Sequence, residues 1–181
     1  QPIIGVEISL NQHNADPKIL RSESLSKVVL LAQNHTGYLN LCDLNRIMYM
    51  RSENHHLGPY ISFDELEKYS DGLICLSGAH LGNIGQSLLS GRVDEAQAQA
   101  RWLADLFPSR FYLELQRHKA TVSRANHEAY DMQQIANEKI IELSKKYDVK
   151  LVCTNDVHFV DEENAEAHDR LICLSTGKDL D

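Results

Sequence analysis

The chain has 181 residues, of which 43% are hydrophobic and 24% are charged, a composition typical of a single globular domain with its own core. The formal net charge is −8 and the basic residues are scattered, which argues against a chain that grips nucleic acid by itself, because phosphate contacts dominate that affinity. No apolar run approaches the length of a transmembrane helix. We therefore expect a cytoplasmic protein without a membrane segment.

Short apolar runs rich in β-branched residues alternate with longer segments of helical periodicity. The chain opens on a strand-like run, and we expect it to be part of a longer protein. A polar surface loop is predicted over residues 11–24. Alternation of this kind predicts an α/β fold with mainly parallel strands. The predicted strands are PIIGVEI (2–8), KVVLLA (27–32), GLICLS (72–77), RFYLEL (110–115) and VKLVCT (149–154).

Five segments have the periodicity of helices. Ser62 and Glu65 have capping-box spacing at the start of the second, and Gly177 is expected to close the last. The predicted helices cover residues 36–50, 62–69, 92–107, 127–148 and 161–177. Apolar stripes are predicted at Tyr38, Leu41, Asn45 and Met48 in the first helix and at Met132, Ala136, Ile140, Leu143 and Tyr147 in the fourth.

The four cysteines show no C-x-x-C spacing, and each lies in an apolar context. Zinc ligation by thiolates needs closer spacing, so we interpret them as buried, structural thiols in a reducing compartment. They are Cys42, Cys75, Cys153 and Cys173.

Asp156 and His158 lie two residues apart, directly after the last predicted strand, and Glu7 lies near the end of the first. In parallel α/β folds, functional side chains gather where strands end, and residues two apart in extended backbone point the same way. Two carboxylates and an imidazole suit zinc or manganese. From spacing alone, capping or loop roles for these residues are better supported than a metal site.

The other histidines carry weaker signals. His118 follows a strand, but a surface imidazole is the simpler interpretation, and His55 and His56 fit a solvated loop. The remaining five histidines show no partner at ligand spacing. The sequence has no G-x-S-x-G, no P-loop and no G-x-G-x-x-G.

An ordered set of motifs resembles the polymerase-and-histidinol-phosphatase (PHP) domain at the start of bacterial replicative DNA polymerase III alpha subunits. The motifs span nearly the whole chain: PIIGVE, LLAQNHTGYLNL, ISFDELEKYSDGLICLSG, FYLELQRH and VCTNDVHFVDEENAEAHDRLICLSTGKDLD. The resemblance implies an α/β, TIM-like barrel, here incomplete. It makes residues 1–181 a single PHP fragment, with the first strands upstream of Gln1 and the polymerase domains beyond Asp181.

The resemblance also implies a degenerate metal site. Glu7, Asp156 and His158 match family ligands, whereas Lys27 stands where metal-binding members have histidine and Ala79 where they have cysteine. A lysine ammonium and an alanine methyl offer no ligand atom. We therefore expect low metal occupancy and no cofactor in this chain, with zinc or manganese in the parent protein only if its site is intact, and no catalytic residue here.

Three functions follow from the resemblance. The first is a structural part of the replicative polymerase that docks other holoenzyme subunits, such as the proofreading exonuclease, and meets DNA only through the parent protein. The second is a metal-dependent 3′–5′ exonuclease or phosphoesterase. The third, a small-molecule phosphatase, is disfavoured by the polymerase-type motifs NHTGYLNL and STGKDLD.

Lys27 is expected to replace the missing cation. Without a metal, Glu7 and Asp156 would repel each other, and an ammonium would offset that repulsion. The sequence therefore predicts the Lys27 Nζ within about 4 Å of a Glu7 or Asp156 oxygen, the usual reach of an ion pair.

Overall fold

The computed structural model describes residues 2–11, 25–50, 58–119, 128–177 and 179. Six strands form one sheet in the order β3-β1-β2-β4-β5-β6. The predicted strands are confirmed as β1, β2, β4, β5 and β6. The strands are β1 (Gly5–Asn11), β2 (Leu25–Ala32), β3 (Ile61–Ser62), β4 (Leu73–Leu76), β5 (Phe111–Leu115) and β6 (Lys150–Cys153).

Strand β2 alone runs against the rest of the sheet. It pairs antiparallel with both β1 and β4, whereas the β1–β3, β4–β5 and β5–β6 pairs are parallel. Five strands therefore point the same way, and their carboxyl ends meet at one edge. The predicted α/β fold with mainly parallel strands is confirmed.

In the described part of the chain, six helices connect the strands, and single 3-10 turns cover Ala79–Leu81 and Glu162–Asn164. All five predicted helices are present, with boundaries close to those expected. The helices are α1 (His35–Met50), α2 (Phe63–Lys68), α3 (Asn83–Leu89), α4 (Val93–Leu106), α5 (Glu128–Tyr147) and α6 (Ala165–Thr176).

The core lies on one face of the sheet. In β1 and β2, side chains alternate between buried Ile8, Leu10, Val28 and Leu30 and more exposed neighbours, as expected for a sheet with one covered face. Helices α1, α3, α4 and α5 contribute apolar side chains to the same cluster. The opposite face of β1 and β2 is left more open, and Glu7 lies on it.

The predicted stripe of α1 is wrong by part of a turn. The buried residues are Gly37, Leu41, Leu44 and Met48, whereas Tyr38 and Asn45 are exposed. Gly37 explains the rotation, because a Cβ there would come within 1.9 Å of the Gly72 carbonyl oxygen. The helix therefore packs Gly37 against the segment before β4, and this orientation buries Leu44.

Helix α5 shows a similar shift at its start. Ala136, Ile140 and Leu143 are buried as predicted, but Met132 is exposed and Gln133 is buried in its place. Gln133 has hydrogen-bond partners in the loop after β5, and these outweigh the apolar preference of methionine for the interior. A polar contact, which hydrophobic periodicity does not reveal, determines which face of the helix is buried here.

The sequence patterns did not predict two short elements. Strand β3 has only two residues, and they precede the helix that Ser62 caps. Helix α3 lies in the glycine-rich segment GNIGQSLLSG, where Gly82 and Gly85 weaken the helical signal. The loop over 12–24 and the segment with His55 and His56 lie outside the described residues.

The prediction that the cysteines are buried is confirmed in full for one of the four. All four thiols are free. Cys75 is completely buried, and burial, with the nearby Glu114 carboxylate, raises the pKa of its thiol. Cys42 and Cys153 are exposed and Cys173 is half-buried, which corrects the expectation that all are interior.

Helix α6 packs least. None of its side chains from Ala165 to Thr176 is buried, and Gly177 closes it in the left-handed conformation as predicted. Leu171 and Leu174 are largely exposed. No helix in the described ranges is long and apolar enough to span a membrane.

The capping box of α2 gives the first testable prediction. The Ser62 hydroxyl accepts from the Glu65 N–H at 3.2 Å, and the Glu65 carboxylate accepts from the Ser62 N–H at 2.8 Å. Ser62→Ala should lower the free energy of unfolding by about 1 kcal/mol, measured by urea denaturation. Glu67→Ala, at an exposed position of the same helix, is the control, and an equal loss in both variants would contradict a capping role.

Candidate functional site

Three loops meet where β4, β5 and β6 end. Because these strands are parallel and adjacent, the segments that follow them, residues 77–82, 116–119 and 154–158, lie at the same edge of the sheet. The side chains of Gln116 and Thr154 are hydrogen-bonded to each other, and Glu114, in β5, connects the first loop to them. This edge is the place where the α/β architecture predicts functional side chains.

Glu114 is the centre of the hydrogen-bond network at this edge. Its side chain is buried, with 2% of its surface exposed. One carboxylate oxygen accepts from the Gly78 N–H at 2.9 Å, and the other accepts from the Thr154 hydroxyl and from the Gln116 amide. The carboxylate therefore joins the loops after β4 and β6, and a buried charge without these donors would be costly.

The loop after β4 is folded tightly against its neighbours. Gly78 has a φ of +76°, which disfavours other residues, and a Cβ on it would come within 2.3 Å of the Lys27 carbonyl oxygen. A Cβ on Gly82 would come within 1.7 Å of the Ser77 carbonyl oxygen. Only glycine fits at these two positions, so the loop lies close against β2.

His118 is fixed in one orientation after β5. Its Nε2 lies 3.0 Å from the Asn155 carbonyl oxygen, which can only accept, so Nε2 carries the proton. Its Nδ1 then accepts from the Gln133 side-chain amide at 3.0 Å. The Gln133 side-chain oxygen accepts from the backbone N–H of His118 at 2.7 Å. His118 is thus not a free surface imidazole, which corrects the sequence-based interpretation.

Asp156 and His158 come together as the spacing predicts. His158 Nε2 lies 3.3 Å from Asp156 Oδ1, and the two side chains are 59% and 40% exposed, respectively. The backbone that brings them together differs from the extended one expected, because Asp156 has a φ of +41°. His168, on α6, places its ring 5.5 Å from that of His158.

His80 is the most enclosed imidazole at this edge, with 8% of its surface exposed. Its Nδ1 is buried without a hydrogen-bond partner. Burial lowers the pKa of His80, the nearby His118 lowers it further, and the Asp156 carboxylate acts in the opposite direction. The charge of Asp156 therefore reaches the residue next to Ala79.

A cavity of about 590 Å³ opens beside these loops. Its polar lining combines imidazoles with carboxylates, and apolar side chains such as Phe159 complete it. The cavity is large enough for a small ligand. Its polar lining consists of His118, Asn155, Asp156, His158, Asp161 and His168.

Glu7 and Lys27 form an ion pair on the open face of β1 and β2. Lys27 Nζ lies 2.5 Å from Glu7 Oε1, which confirms the predicted contact. The residues are diagonal neighbours, since Ser9 is opposite Lys27 and Glu7 is opposite Val29. Glu7 is the third residue of β1 rather than near its end, because the strand continues to Asn11.

The structure divides the five sequence-predicted site residues into two groups. Lys27 and Glu7 lie on β2 and β1, and Asp156 and His158 follow β6, three strands from β2. The loop that carries Ala79 lies between the two groups, against β2 on one side and joined to the loop after β6 on the other. Within the described ranges, no three His, Cys, Asp or Glu side chains are grouped so that they could hold a metal ion. The residues as arranged do not fit a metal centre.

Comparison with known proteins decides the family. The family model described as the PHP domain matches residues 1–118. The chain belongs to the PHP domain family. The mainly parallel sheet with its surrounding helices agrees with a partial PHP-type barrel, as the motifs implied.

Curated relatives of this PHP domain extend the match over the remaining residues. The chain is 36% identical to the DNA polymerase III subunit alpha of Borreliella burgdorferi over 98% of its length. It is 37% identical to the corresponding protein of Pseudomonas aeruginosa over 100% and 35% identical to that of Caulobacter vibrioides over 98%. The chain spans only 14% to 15% of the length of these relatives.

Sequence reasoning missed several residues that build this edge of the PHP domain. Glu114 has no metal-ligand spacing to any other residue, and Gln133 lies in a helix whose predicted stripe excluded it. A carboxylate inside the apolar strand FYLEL was the available signal for Glu114, because a charge in a buried strand needs partners. No sequence signal distinguishes His80 from the exposed histidines.

Removing the Glu114 carboxylate should loosen both loops. We expect Glu114→Ala to lower the free energy of unfolding by about 2 to 3 kcal/mol, because the Gly78 N–H and the Thr154 hydroxyl lose a buried, charged acceptor. Glu114→Gln keeps an acceptor oxygen and should lose less. Chemical denaturation measures both, and Glu138→Ala, at an exposed position of α5, is the control. A loss no larger than that of the control would contradict the central role of Glu114.

His80 should make stability depend on pH. Because its folded-state pKa is lowered, the unfolded chain binds more protons as pH falls below about 6.5, the ordinary histidine value. The stability that neutral His80 contributes is therefore present at neutral pH and is lost on acidification. His80→Gln should flatten the decline in melting temperature between about pH 7 and 5. His35→Gln removes an exposed imidazole and serves as control; equal slopes in all three proteins would contradict the assignment.

Proposed function

We propose that the chain is the PHP portion of a bacterial DNA polymerase III alpha subunit and that it acts as a structural module without a metal centre. In this role it docks other subunits of the polymerase holoenzyme, with the proofreading exonuclease as the first candidate. The names of the relatives support the assignment to this subunit, and the boundaries 1–181 as one domain are part of the proposal.

The ion pair between Lys27 and Glu7 is the observation that carries the structural role. In metal-binding PHP domains that the sequence resembles, a histidine stands at the position of Lys27. Here an ammonium contacts a carboxylate at 2.5 Å, and so supplies positive charge beside Glu7 without a bound ion. A protonated lysine beside a metal would add charge repulsion to the loss of a ligand.

Ala79 supports the same conclusion from a second position. It has 1% of its surface exposed, so its methyl group occupies an enclosed place where the resemblance implies a cysteine in metal-binding members. An alanine methyl group offers no donor atom to a metal ion. Two separate substitutions therefore remove donor atoms from the same region.

A metal-dependent 3′–5′ exonuclease or phosphoesterase is the second candidate. The contact of 3.3 Å between His158 and Asp156 favours it, as does the cavity that this pair lines together with His118 and His168. In this alternative the retained pair would bind an ion with ligands from outside the described residues.

The remaining contacts of the protein follow from its charge. A net charge of −8 favours contact with DNA through other parts of the polymerase rather than through this domain. We propose a cytoplasmic location and no membrane association, as the relatives are replication proteins by name.

Restoring the two missing donors tests the proposal. Elemental analysis of the purified protein should find no stoichiometric zinc or manganese, and an exonuclease assay should find no activity that Asp156→Asn abolishes. The double variant Lys27→His with Ala79→Cys should bind cobalt(II) at least tenfold more tightly than the parent, followed by visible absorption of the cobalt–thiolate site.

The control is Lys150→His, which adds a histidine at an exposed position of β6 and should leave cobalt binding unchanged. Stoichiometric metal in the unaltered protein, together with hydrolysis lost in Asp156→Asn, would establish the second candidate instead.

A further inference from the structure

A cluster of polar side chains joins α4 to the last turn of α5 at the surface of the domain. The Tyr147 hydroxyl accepts from Arg101 Nη2 at 2.8 Å and donates to Gln97 Oε1 at 2.8 Å. The Lys146 ammonium donates to the same Gln97 oxygen at 2.9 Å. These four residues, which we call the Tyr147 cluster, combine two cations with two neutral side chains.

Both cations of the Tyr147 cluster lie over the same aromatic ring. The guanidinium carbon of Arg101 is 4.9 Å from the centroid of the Tyr147 ring, and the ammonium nitrogen of Lys146 is 5.3 Å from it. These are the distances of cation–π contacts. The contacts hold a guanidinium and an ammonium close together although their charges repel each other.

Neither cation is neutralised by a carboxylate of the described residues. Asp105 follows Arg101 by four residues on α4, the spacing at which helical ion pairs form. Glu142 precedes Lys146 by the same interval on α5. No carboxylate in the described ranges comes within 4.0 Å of either cation, however. Both cations bond to neutral oxygens instead, so their charge remains available to an external anion.

The pKa of Tyr147 reflects this positive environment. Loss of hydration raises it, but the hydrogen bonds and the charges of Arg101 and Lys146 outweigh that effect and lower the pKa below the ordinary tyrosine value. Surroundings that favour a negative charge on a protein oxygen also favour an oxyanion from outside. The cluster is thus a local positive site in a chain whose net charge is −8.

The cluster also has hydrogen-bond donors to offer. An arginine carries five N–H donors and a lysine three, and the contacts within the cluster use one of each. Both Arg101 and Lys146 are exposed. A guanidinium binds a planar carboxylate through two parallel hydrogen bonds, and a neighbouring ammonium adds a further one.

We propose that the Tyr147 cluster is a docking site for a carboxylate-bearing segment of a partner protein, which Arg101 and Lys146 bind directly. Tyr147 and Gln97 orient the two cations and so act as positioning residues. Two cations complement one or two carboxylates, whereas a nucleic-acid backbone needs many more phosphate contacts and is repelled by an acidic domain. The proposal rests on the docking role proposed above and gives that role a surface.

A peptide titration followed by NMR tests the site. The probe is a hexaglutamate peptide with blocked ends, added to the isotope-labelled protein, and hexaglutamine is the uncharged comparison. We expect the side-chain N–H signals of Arg101 and Gln97 to shift until saturation with hexaglutamate and to stay in place with hexaglutamine. Equal shifts with both peptides, or shifts confined to other residues, would overturn the proposal. Tighter binding of inorganic phosphate or of a single-stranded oligonucleotide at these signals would also overturn it.

Replacing the two cations tests which groups bind the peptide. Arg101→Gln and Lys146→Gln should each weaken hexaglutamate binding roughly threefold, and the double variant roughly tenfold, as expected for exposed ion pairs. Arg101→Lys keeps the charge but loses the planar fork, so it should restore only part of the affinity. Unchanged affinity in the double variant would contradict the assignment.

Lys68→Gln is the matched control. The Lys68 ammonium lies 5.1 Å from the centroid of the Tyr69 ring, so it makes the same kind of cation–π contact at the end of α2. Its removal changes the net charge by the same amount and should leave peptide binding unchanged; a loss equal to that of Arg101→Gln would show that the peptide responds to net charge alone and would overturn the proposal. Peptide binding is measured independently of metal content, so the failure of this proposal and that of the structural role are distinguishable.

Discussion

The edge of the sheet depends on one buried carboxylate. Glu114 contacts the loop after β4 and the loop after β6, and no other described side chain bonds to both. A carboxylate is suited to this position because it accepts several hydrogen bonds at once and holds donors more strongly than a neutral group does. The position of Asp156, two residues beyond Thr154, follows from that contact. The geometry at the mouth of the cavity therefore depends on Glu114, which lies next to the end of β5.

Charge is balanced differently in the two halves of the site region. Beside β1 and β2, a lysine neutralises Glu7 directly. Beside β6, Asp156 lies 3.3 Å from the His158 imidazole. In the proposed structural role, the Lys27–Glu7 pair keeps the charges balanced at one end, and the polar side chains at the other end remain available for contacts with partners.

The sequence predicted those parts of the fold that local patterns determine. Apolar runs gave five strands, and periodicity with capping gave five helices, since burial of a whole face leaves a regular trace. Helix α3 was missed because Gly82 precedes it and Gly85 lies within it, and the buried face of α5 was misjudged because Gln133 is hydrogen-bonded to His118. The contact between Glu114 and Gly78 joins residues 36 apart in the chain. Such contacts depend on strand order, and a single sequence carries no direct record of it.

The Lys27–Glu7 pair was predicted from the resemblance and its missing ligands, not from spacing. By contrast, the spacing of Asp156 and His158 was informative although the backbone between them is not extended. Asp156 has a left-handed backbone conformation rather than the predicted extended one, and its side chain still meets that of His158. Local spacing thus limits which side chains can meet, while the turn that brings them together is set by the surrounding loops.

The single antiparallel strand has a consequence for how the chain folds. Strands β1 and β2 are consecutive in the chain and pair antiparallel, whereas the parallel pairs among β4, β5 and β6 join strands that are separated in the chain by helices. Contacts between distant residues close large loops and therefore form slowly. The hydrogen bonds around Glu114 belong to this late group. The β1–β2 pair would then be the earliest ordered part of the sheet, and the edge that carries Asp156 and His158 would be the first to open when the domain unfolds.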